Sequence, residues 1–357
     1  MINMAIFTTR DINNGGGGEE DILNMIECMI DVKFTVFYLD EGKSNIRVNE
    51  MKDYFKFIKY KGYKVNFFKI LFTSFNFRSL KKFDIVYSYS NEFNVINEIS
   101  RYAKKLIIGI HTPAMLSYEP INKTFFRRKL FKYYHNLMNF VLTNNYISKN
   151  KYFRVQNEYD YNYLLNLGIP VNRIYNIEPF MSLDIDKHNS INDSKILNVL
   201  WLHRFSNEKN PKMMIDIASK FEKYNDINFT MNITNEQAKS LGIYIPKNIN
   251  FIGYVDEDTK RNLLKNNNVF ISTSNGETFG MSIAEANNYG LITMSLNVKG
   301  LSEHSSYLCG NYEEMINYLD YLRNNKSYVY IKNLEIIDNI YIHTEEKYFK
   351  MLKEVIK

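Results

Sequence analysis

Cysteine is nearly missing from this chain, and so are long apolar runs. Two cysteines, Cys28 and Cys309, in 357 residues make no disulfide framework, so a reducing compartment and buried thiols are expected. No apolar run reaches the roughly 18 residues that a membrane-spanning helix needs. Met1–Thr9 is a short strand-like stretch with no basic segment before it, which argues against a signal peptide. A cytoplasmic protein is the expectation. With 45% apolar and 24% charged residues the composition is globular. The length suffices for two domains with separate cores.

Acid is missing from one long stretch. Residues 121–157 hold five lysines and three arginines and no Asp or Glu, a balance of +8. Residues 51–84 hold eight lysines and Arg78 against Asp53 and Asp84, a balance of +7. The whole chain carries only +6, so the remainder is net acidic. Both basic stretches are rich in Phe and Tyr, which suggests an anionic partner. No nucleic-acid recognition motif is visible, so a nucleic acid is not expected. An anionic membrane surface, bound peripherally on its inner face, is the other reading.

What is there centres on Asn268–Gly290, NVFISTSNGETFGMSIAEANNYG. Val269-Phe270-Ile271 reads as a short strand, Ser272–Gly276 as a polar turn, and the segment carrying Glu285 as a helix stopping at Gly290. Strand, loop and helix in that order place ligand groups at the carboxyl edge of a parallel sheet. Glu277 falls on the loop and Glu285 in the second helical turn, so two carboxylates can face one ligand. Backbone N–H groups near Gly280 would meet its anionic part. Taken alone, the pair is weak evidence and is more readily read as two solvated surface carboxylates.

The flanking residues decide against the bland reading. Upstream lie the strand-like Asn250–Val255 and the acidic cap Asp256-Glu257-Asp258; downstream come the strand Leu291–Met294 and Lys299-Gly300-Leu301-Ser302-Glu303. This order resembles the donor-binding half of the GT-B glycosyltransferases, glycosyltransferase family 4 in particular. There a Phe-x-Gly-Tyr strand precedes a Glu-seven-Glu motif with a Phe-Gly step and a Gly-x-x-Glu loop. The resemblance implies an α/β fold of two Rossmann-like, doubly wound domains facing each other across a cleft. Residues 1–178 would be the acceptor domain and 193–335 the donor domain. The segment 336–357 would cross back to the first domain.

Taken in order, Met4–Phe7 reads as a first strand, followed by Gly15-Gly16-Gly17-Gly18-Glu19-Glu20 and a helix to about Ile30. A glycine-rich turn lets backbone approach a ligand. It lacks the G-x-G-x-x-G spacing of a dinucleotide site and the Gly-Lys-Ser/Thr of a Walker loop. A flexible linker is the alternative; the resemblance makes Gly17 and Gly18 part of the cleft. Phe34–Tyr38, Asp84–Ser88 and Leu106–Ile110 continue the strand pattern. His111 follows the last of these at a carboxyl end, before Thr112-Pro113. It is either a structural histidine or, as in the resembled family, one that faces the sugar and the acceptor. In residues 123–134, Phe126, Leu130, Tyr133 and Tyr134 are expected on one helical face, with Arg127, Arg128 and Lys132 elsewhere. That pattern suits either an interfacial membrane helix or a core-packed one. Leu164–Ile177 resembles the segment that closes the first domain, and Phe180–Asn192 the connection.

Ile196–Leu202 begins the second domain, and His203-Arg204-Phe205-Ser206-Asn207-Glu208-Lys209-Asn210-Pro211 follows. This resembles the family's Gly-Arg … Glu-Lys-Gly loop, with His203 and Asn210 where the family has glycines. In the tail, Tyr348, Met351, Leu352 and Val355 fall at helical spacing.

The resemblance implies a metal-free, retaining hexosyl transfer from a UDP- or GDP-sugar to a glycan, lipid-linked or protein acceptor. Arg204 and Lys209 would hold the departing diphosphate, Glu277 the sugar and Glu285 the ribose. His111 would face the reacting sugar, and Thr278, Phe279, Gly280 and Met281 would border the donor. The nucleotide-sugar is a substrate; no cofactor is implied. Asp184-Ile185-Asp186 and Asp256-Glu257-Asp258 spell the Asp-x-Asp of metal-dependent transferases. The first sits in the connection and the second opens a helix, where acids cap. Two rivals stand: an epimerase or phosphorylase on the same fold, and a non-catalytic GT-B-like binding protein or partner subunit.

Overall fold

The computed structural model describes residues 1–65, 70–90, 92–111, 125–144, 150–181, 196–298, 305–338 and 344–357. The chain divides into two units, Met1–Ser182 with Ile342–Lys357, and Leu183–Tyr341.

The first unit carries β1 (Ile2–Thr8), β2 (Val32–Leu39), β3 (Lys56–Tyr60), β4 (Gly62–Val65), β5 (Ile70–Thr73), β6 (Ile85–Tyr89), β7 (Leu106–Gly109), β8 (Lys151–Val155) and β9 (Ile174–Asn176). Seven of these make one parallel sheet in the order β3-β2-β1-β6-β7-β8-β9, while β4 and β5 form a separate antiparallel hairpin. The central strands are apolar runs because both faces of the sheet are covered. Alternation along β1 divides them: Ala5 and Phe7 join one core, Met4 and Ile6 the other. The second core takes in the C-terminal helix Thr344–Ile356 through Tyr348, Met351, Leu352 and Val355, all fully buried. Burying each such side chain contributes roughly 1.5–3 kcal/mol. That stripe fastens the end of the chain to the unit where it began.

In the second unit β10 (Leu197–Trp201), β11 (Ile227–Met231), β12 (Ile249–Phe251), β13 (Val269–Ser272), β14 (Ile292–Leu296) and β15 (Tyr307–Cys309) form a parallel sheet ordered β12-β11-β10-β13-β14-β15. The chain winds outward from β10 to β12, then returns to the other side of β10. Strand order therefore reverses between β10 and β13, and in the first sheet between β1 and β6. Each unit is a doubly wound, Rossmann-like fold, and ligands of such sheets bind where the order reverses.

Several expectations change. Cys28 is exposed at the end of helix Gly17–Cys28, and only Cys309 is buried. The strand expected over Asn250–Val255 ends at Phe251; Gly253 turns the chain with φ 70° and leaves Tyr254 92% exposed. Within helix Phe125–Thr143, Tyr134 is buried and Tyr133 is 63% exposed. Neighbouring residues on a helix diverge by about 100°, so these two do not share a face. The side chains of Phe126, Arg127, Arg128 and Leu130 lie outside the described residues, as do Thr112-Pro113, Asp184-Ile185-Asp186, Lys299–Glu303 and most of the connection. Helix Lys326–Asp338 packs in the second unit through Val329 and Ile336. Among the described residues no helix is long and apolar enough to cross a membrane.

Candidate functional site

At the switch point of the second sheet, two loops leave neighbouring strands and are stitched together. Thr273, after β13, accepts from Trp201 Nε1 of β10 at 3.0 Å and donates to the carbonyls of Lys209 and Asn210 at 2.8 and 3.0 Å. Asn275 donates from its backbone to Glu208 O at 2.9 Å and from its side chain to Asn207 O at 3.2 Å. Held this way, Lys209 Nζ forms an ion pair with Glu277 Oε1. Ser274 Oγ donates to the same oxygen at 2.9 Å. The two charged side chains are only 11% and 14% exposed. Lysine has three donors and carboxylate two oxygens. This contact therefore leaves two N–H donors on Lys209 and one oxygen on Glu277.

Two helices begin at these loops. Helix Met281–Asn288 starts at Gly280, whose φ of 83° and ψ of 54° are left-handed and whose N-cap position supplies no side-chain acceptor. The first-turn N–H groups there have no side-chain cap. Helix Pro211–Lys220 starts at Asn210, also left-handed with φ 51°, whose Oδ1 accepts from Met213 N at 3.4 Å. Asn is among the few residues that tolerate this region. Asn210 in place of glycine thus keeps the turn and adds a cap. Pro211 follows at the first helical position, where its missing N–H costs nothing.

His203, the other departure, is buried against Trp201 and Phe270 with ring centroids at 4.9 and 5.6 Å. Its backbone N–H donates to Asn232 Oδ1 at 2.8 Å, and its ring Nδ1 lies 3.3 Å from Ser282 Oγ. Burial, with the charges of Lys209 and Arg204 adding to it, holds its pKa well below the usual histidine value. Arg204 is exposed and forms no ion pair among the described residues.

Glu285 has a cation of its own. Its Oε1 accepts from Lys260 Nζ at 3.2 Å, and Lys260 also pairs with Glu257 at 2.9 Å. Burial raises the Glu285 carboxyl above its ordinary pKa, with Lys260 opposing. Burial also works against the Lys260 charge, but Glu285 and Glu257 outweigh it and its pKa is raised. The two glutamates of the motif therefore sit in separate ion pairs. Thr278 and Phe279 are buried beside them and Met281 is half-buried. Asp256 caps helix Glu257–Asn266, accepting from Thr259 N at 2.8 Å. Among the described residues no cluster of three or more His, Cys, Asp or Glu side chains could hold a metal ion.

In the first unit Gly17 and Gly18 open the helix that follows β1, Gly17 exposed and Gly18 half-buried. His111 stacks on Tyr89 at 3.4 Å with the rings 6° apart, and its Nε2 lies 2.8 Å from Tyr87 Oη. Burial and the nearby Arg154 and Arg10 push its pKa well below the usual value. Arg154 is fully buried and paired with Asp21 at 2.9 Å. Sequence reading passed over Asp21, Tyr87, Tyr89, Arg154, Ser274 and Lys260. The one available signal was an arginine inside the strand-like run Lys151–Val155.

Residues 183–306 match the family model described as glycosyl transferases group 1. The chain is similar to an uncharacterized 41.2 kDa protein in the cps region of Klebsiella pneumoniae, 24% identical over 242 residues. That match spans 62% of each protein, so the chain covers less than two thirds of its relative's length. Among solved structures it is similar to Anabaena HepE in complex with UDP-glucose, with a TM-score of 0.68 and 12% identity over 99% of this chain and 98% of that one. It is likewise similar to sucrose-phosphate synthase from Thermosynechococcus elongatus, with a TM-score of 0.69 and 12% identity over 99% and 98%. Identities this low speak for the fold alone. The fold is GT-B, and the stretch that matches the group 1 glycosyl transferases contains Arg204, Lys209, Glu277 and Glu285.

Proposed function

We propose that the protein is a retaining, metal-independent glycosyltransferase of the family 4 type. It would move a sugar from a UDP- or GDP-sugar to a glycan, lipid-linked or protein acceptor. The observation that carries this reading is the ion pair of Lys209 with Glu277, braced by Ser274 at the switch point of the second sheet. The group 1 match over the same residues and a neighbour solved with UDP-glucose support it.

Transfer breaks the bond between the anomeric carbon and the diphosphate oxygen and leaves positive charge on the sugar ring. Arg204, the two remaining donors of Lys209 and the uncapped first-turn N–H groups after Gly280 receive the departing diphosphate. Groups fixed in place beforehand stabilise charge without reorganising. The second oxygen of Glu277 accepts from a sugar hydroxyl and favours the charge on the ring. Glu285 accepts from the ribose hydroxyls, and Thr278, Phe279 and Met281 line the donor. His111 is read as a contact to the sugar and acceptor, and Gly17 and Gly18 as donor contacts. The acceptor hydroxyl bonds to the anomeric carbon on the face the diphosphate leaves, and its proton passes to the leaving phosphate oxygen.

Peripheral attachment to an anionic membrane belongs to the same proposal. It is supported by Tyr63 and Phe72, paired across the β4–β5 hairpin and 71% and 61% exposed, and by the exposed Lys56, Lys61, Lys81 and Lys82.

A thermal-shift panel of UDP- and GDP-sugars tests the central claim. A ligand at 100 times its Kd stabilises by about 2.7 kcal/mol. One nucleotide class should raise the unfolding midpoint and the other should not. A flat panel at millimolar concentration would sink the reading.

A further inference from the structure

Five side chains far apart in the sequence form one buried network in the first unit. Asp21 comes from helix Gly17–Cys28, Tyr87 and Tyr89 from β6, His111 from the residues after β7 and Arg154 from β8. Arg154 clamps both oxygens of Asp21 at 2.9 and 3.2 Å and donates to Tyr87 Oη at 3.1 Å. Tyr89 Oη donates to Asp21 at 2.8 Å while its ring stacks on His111. Asp21 also accepts from Phe180 N at 2.7 Å, which ties it to backbone.

The direction of the Tyr87–His111 hydrogen bond follows from these partners. Arginine only donates, so Tyr87 Oη accepts from Arg154. Tyr87 is buried and keeps its own proton, and the acceptor within reach among the described residues is His111 Nε2. Were Nε2 protonated, the Tyr87 hydrogen would be buried with no acceptor, an arrangement native interiors avoid. Nε2 is therefore bare, and a neutral imidazole must carry its proton on Nδ1. Nδ1 is buried and makes no full hydrogen bond, with the Gln156 side chain the polar group beside the ring. Arg154 and Arg10 both oppose a second proton, while Asp21 spends its charge on Arg154.

We propose that Arg154 and Tyr87, anchored by Asp21, are positioning residues that hold His111 as the Nδ1–H tautomer, with Nδ1–H on the side of Gln156, and so fix the orientation of its ring. That the fixed ring serves a sugar rests on the glycosyltransferase reading; the tautomer does not. Gly109 is part of the device. A Cβ there would fall 1.9 Å from His111 Nε2 and 2.5 Å from Tyr87 Oη. Only glycine lets the two side chains meet over the end of β7.

Two-bond proton–nitrogen NMR on the full chain with labelled histidine reads the tautomer directly. There are six histidines, and His111→Gln assigns the signal. The parent should show a bare Nε2 and a protonated Nδ1, and Tyr87→Phe or Gly109→Ala should lose that preference. A parent carrying its proton on Nε2, or a tautomer unchanged in Tyr87→Phe, would overturn the proposal. The parent spectrum decides even if a variant fails to fold. Tyr87→Phe should also slow transfer about tenfold, the worth of one hydrogen bond, with nucleotide affinity unchanged. If the tautomer is as expected but no nucleotide-sugar binds, the function falls and the network stands.

Discussion

Lys209 and Glu277, 68 residues apart in the chain, meet in one ion pair because Thr273 and Asn275 bind the two loops that carry them. Removing Glu277 leaves the Lys209 ammonium nearly enclosed without its partner. Glu277→Ala should therefore cost about 1–3 kcal/mol in urea denaturation. Binding of free nucleoside diphosphate should change little, while the single-turnover transfer rate falls at least about tenfold, as for an interaction that strengthens at the transition state. A variant that turned over like its parent would make the pair a structural strut.

Glu285 separates stability from binding. Its folded pKa is raised above the ordinary 4.5. A raised carboxyl pKa contributes stability that is present below the unfolded pKa and lost as pH rises through the folded one. Glu285→Gln removes that loss. The variant should match the parent in acid and gain on it as pH rises above 4.5 toward neutrality. At neutral pH it should also bind nucleoside diphosphate about ten- to a hundredfold more weakly. Unfolding curves across pH, with calorimetry at neutrality, check both halves.

Asn210 tests the turn. Asn210→Gly keeps the left-handed conformation and should stay within a few tenths of a kcal/mol of the parent. Asn210→Ala loses both the cap and the tolerance of φ 51°, and should cost about 1–2 kcal/mol. Equal midpoints for the two variants would contradict the backbone argument.

The pair of Arg154 and Asp21 should behave as a buried ion pair. Arg154→Met strands the Asp21 carboxylate and should cost about 3–5 kcal/mol, whereas the double variant with Asp21→Leu should recover part of that loss. A double-mutant cycle on unfolding free energies measures it.

Membrane attachment through the hairpin should be electrostatic and aromatic together. Flotation with anionic vesicles should exceed that with neutral ones at low salt, and the difference should fade with added salt. Tyr63→Ser with Phe72→Ser should lower it further. Equal flotation on both vesicle types would remove the idea.

The periodic features were legible in the residues themselves. Short apolar runs alternating with helical segments announce parallel sheets, because a strand covered on both faces has to be apolar throughout. The spacing of Tyr348, Met351, Leu352 and Val355 announces a one-sided helix, since a helix returns to the same face every three or four residues. Glu277, Glu285, Arg204 and Lys209 stood out as candidates through their resemblance to a family's motifs, with their places after strands as support. The partners of these residues did not. Lys260 finds Glu285 across 25 residues, Lys209 finds Glu277 across 68, and Arg154 reaches Asp21 and Tyr87 across 133 and 67, through contacts that local pattern does not encode. Local propensity sets elements because it acts over one turn or one strand. Charge pairing, tautomer and pKa depend on which atoms lie within about 3 Å, and folding alone brings those atoms together.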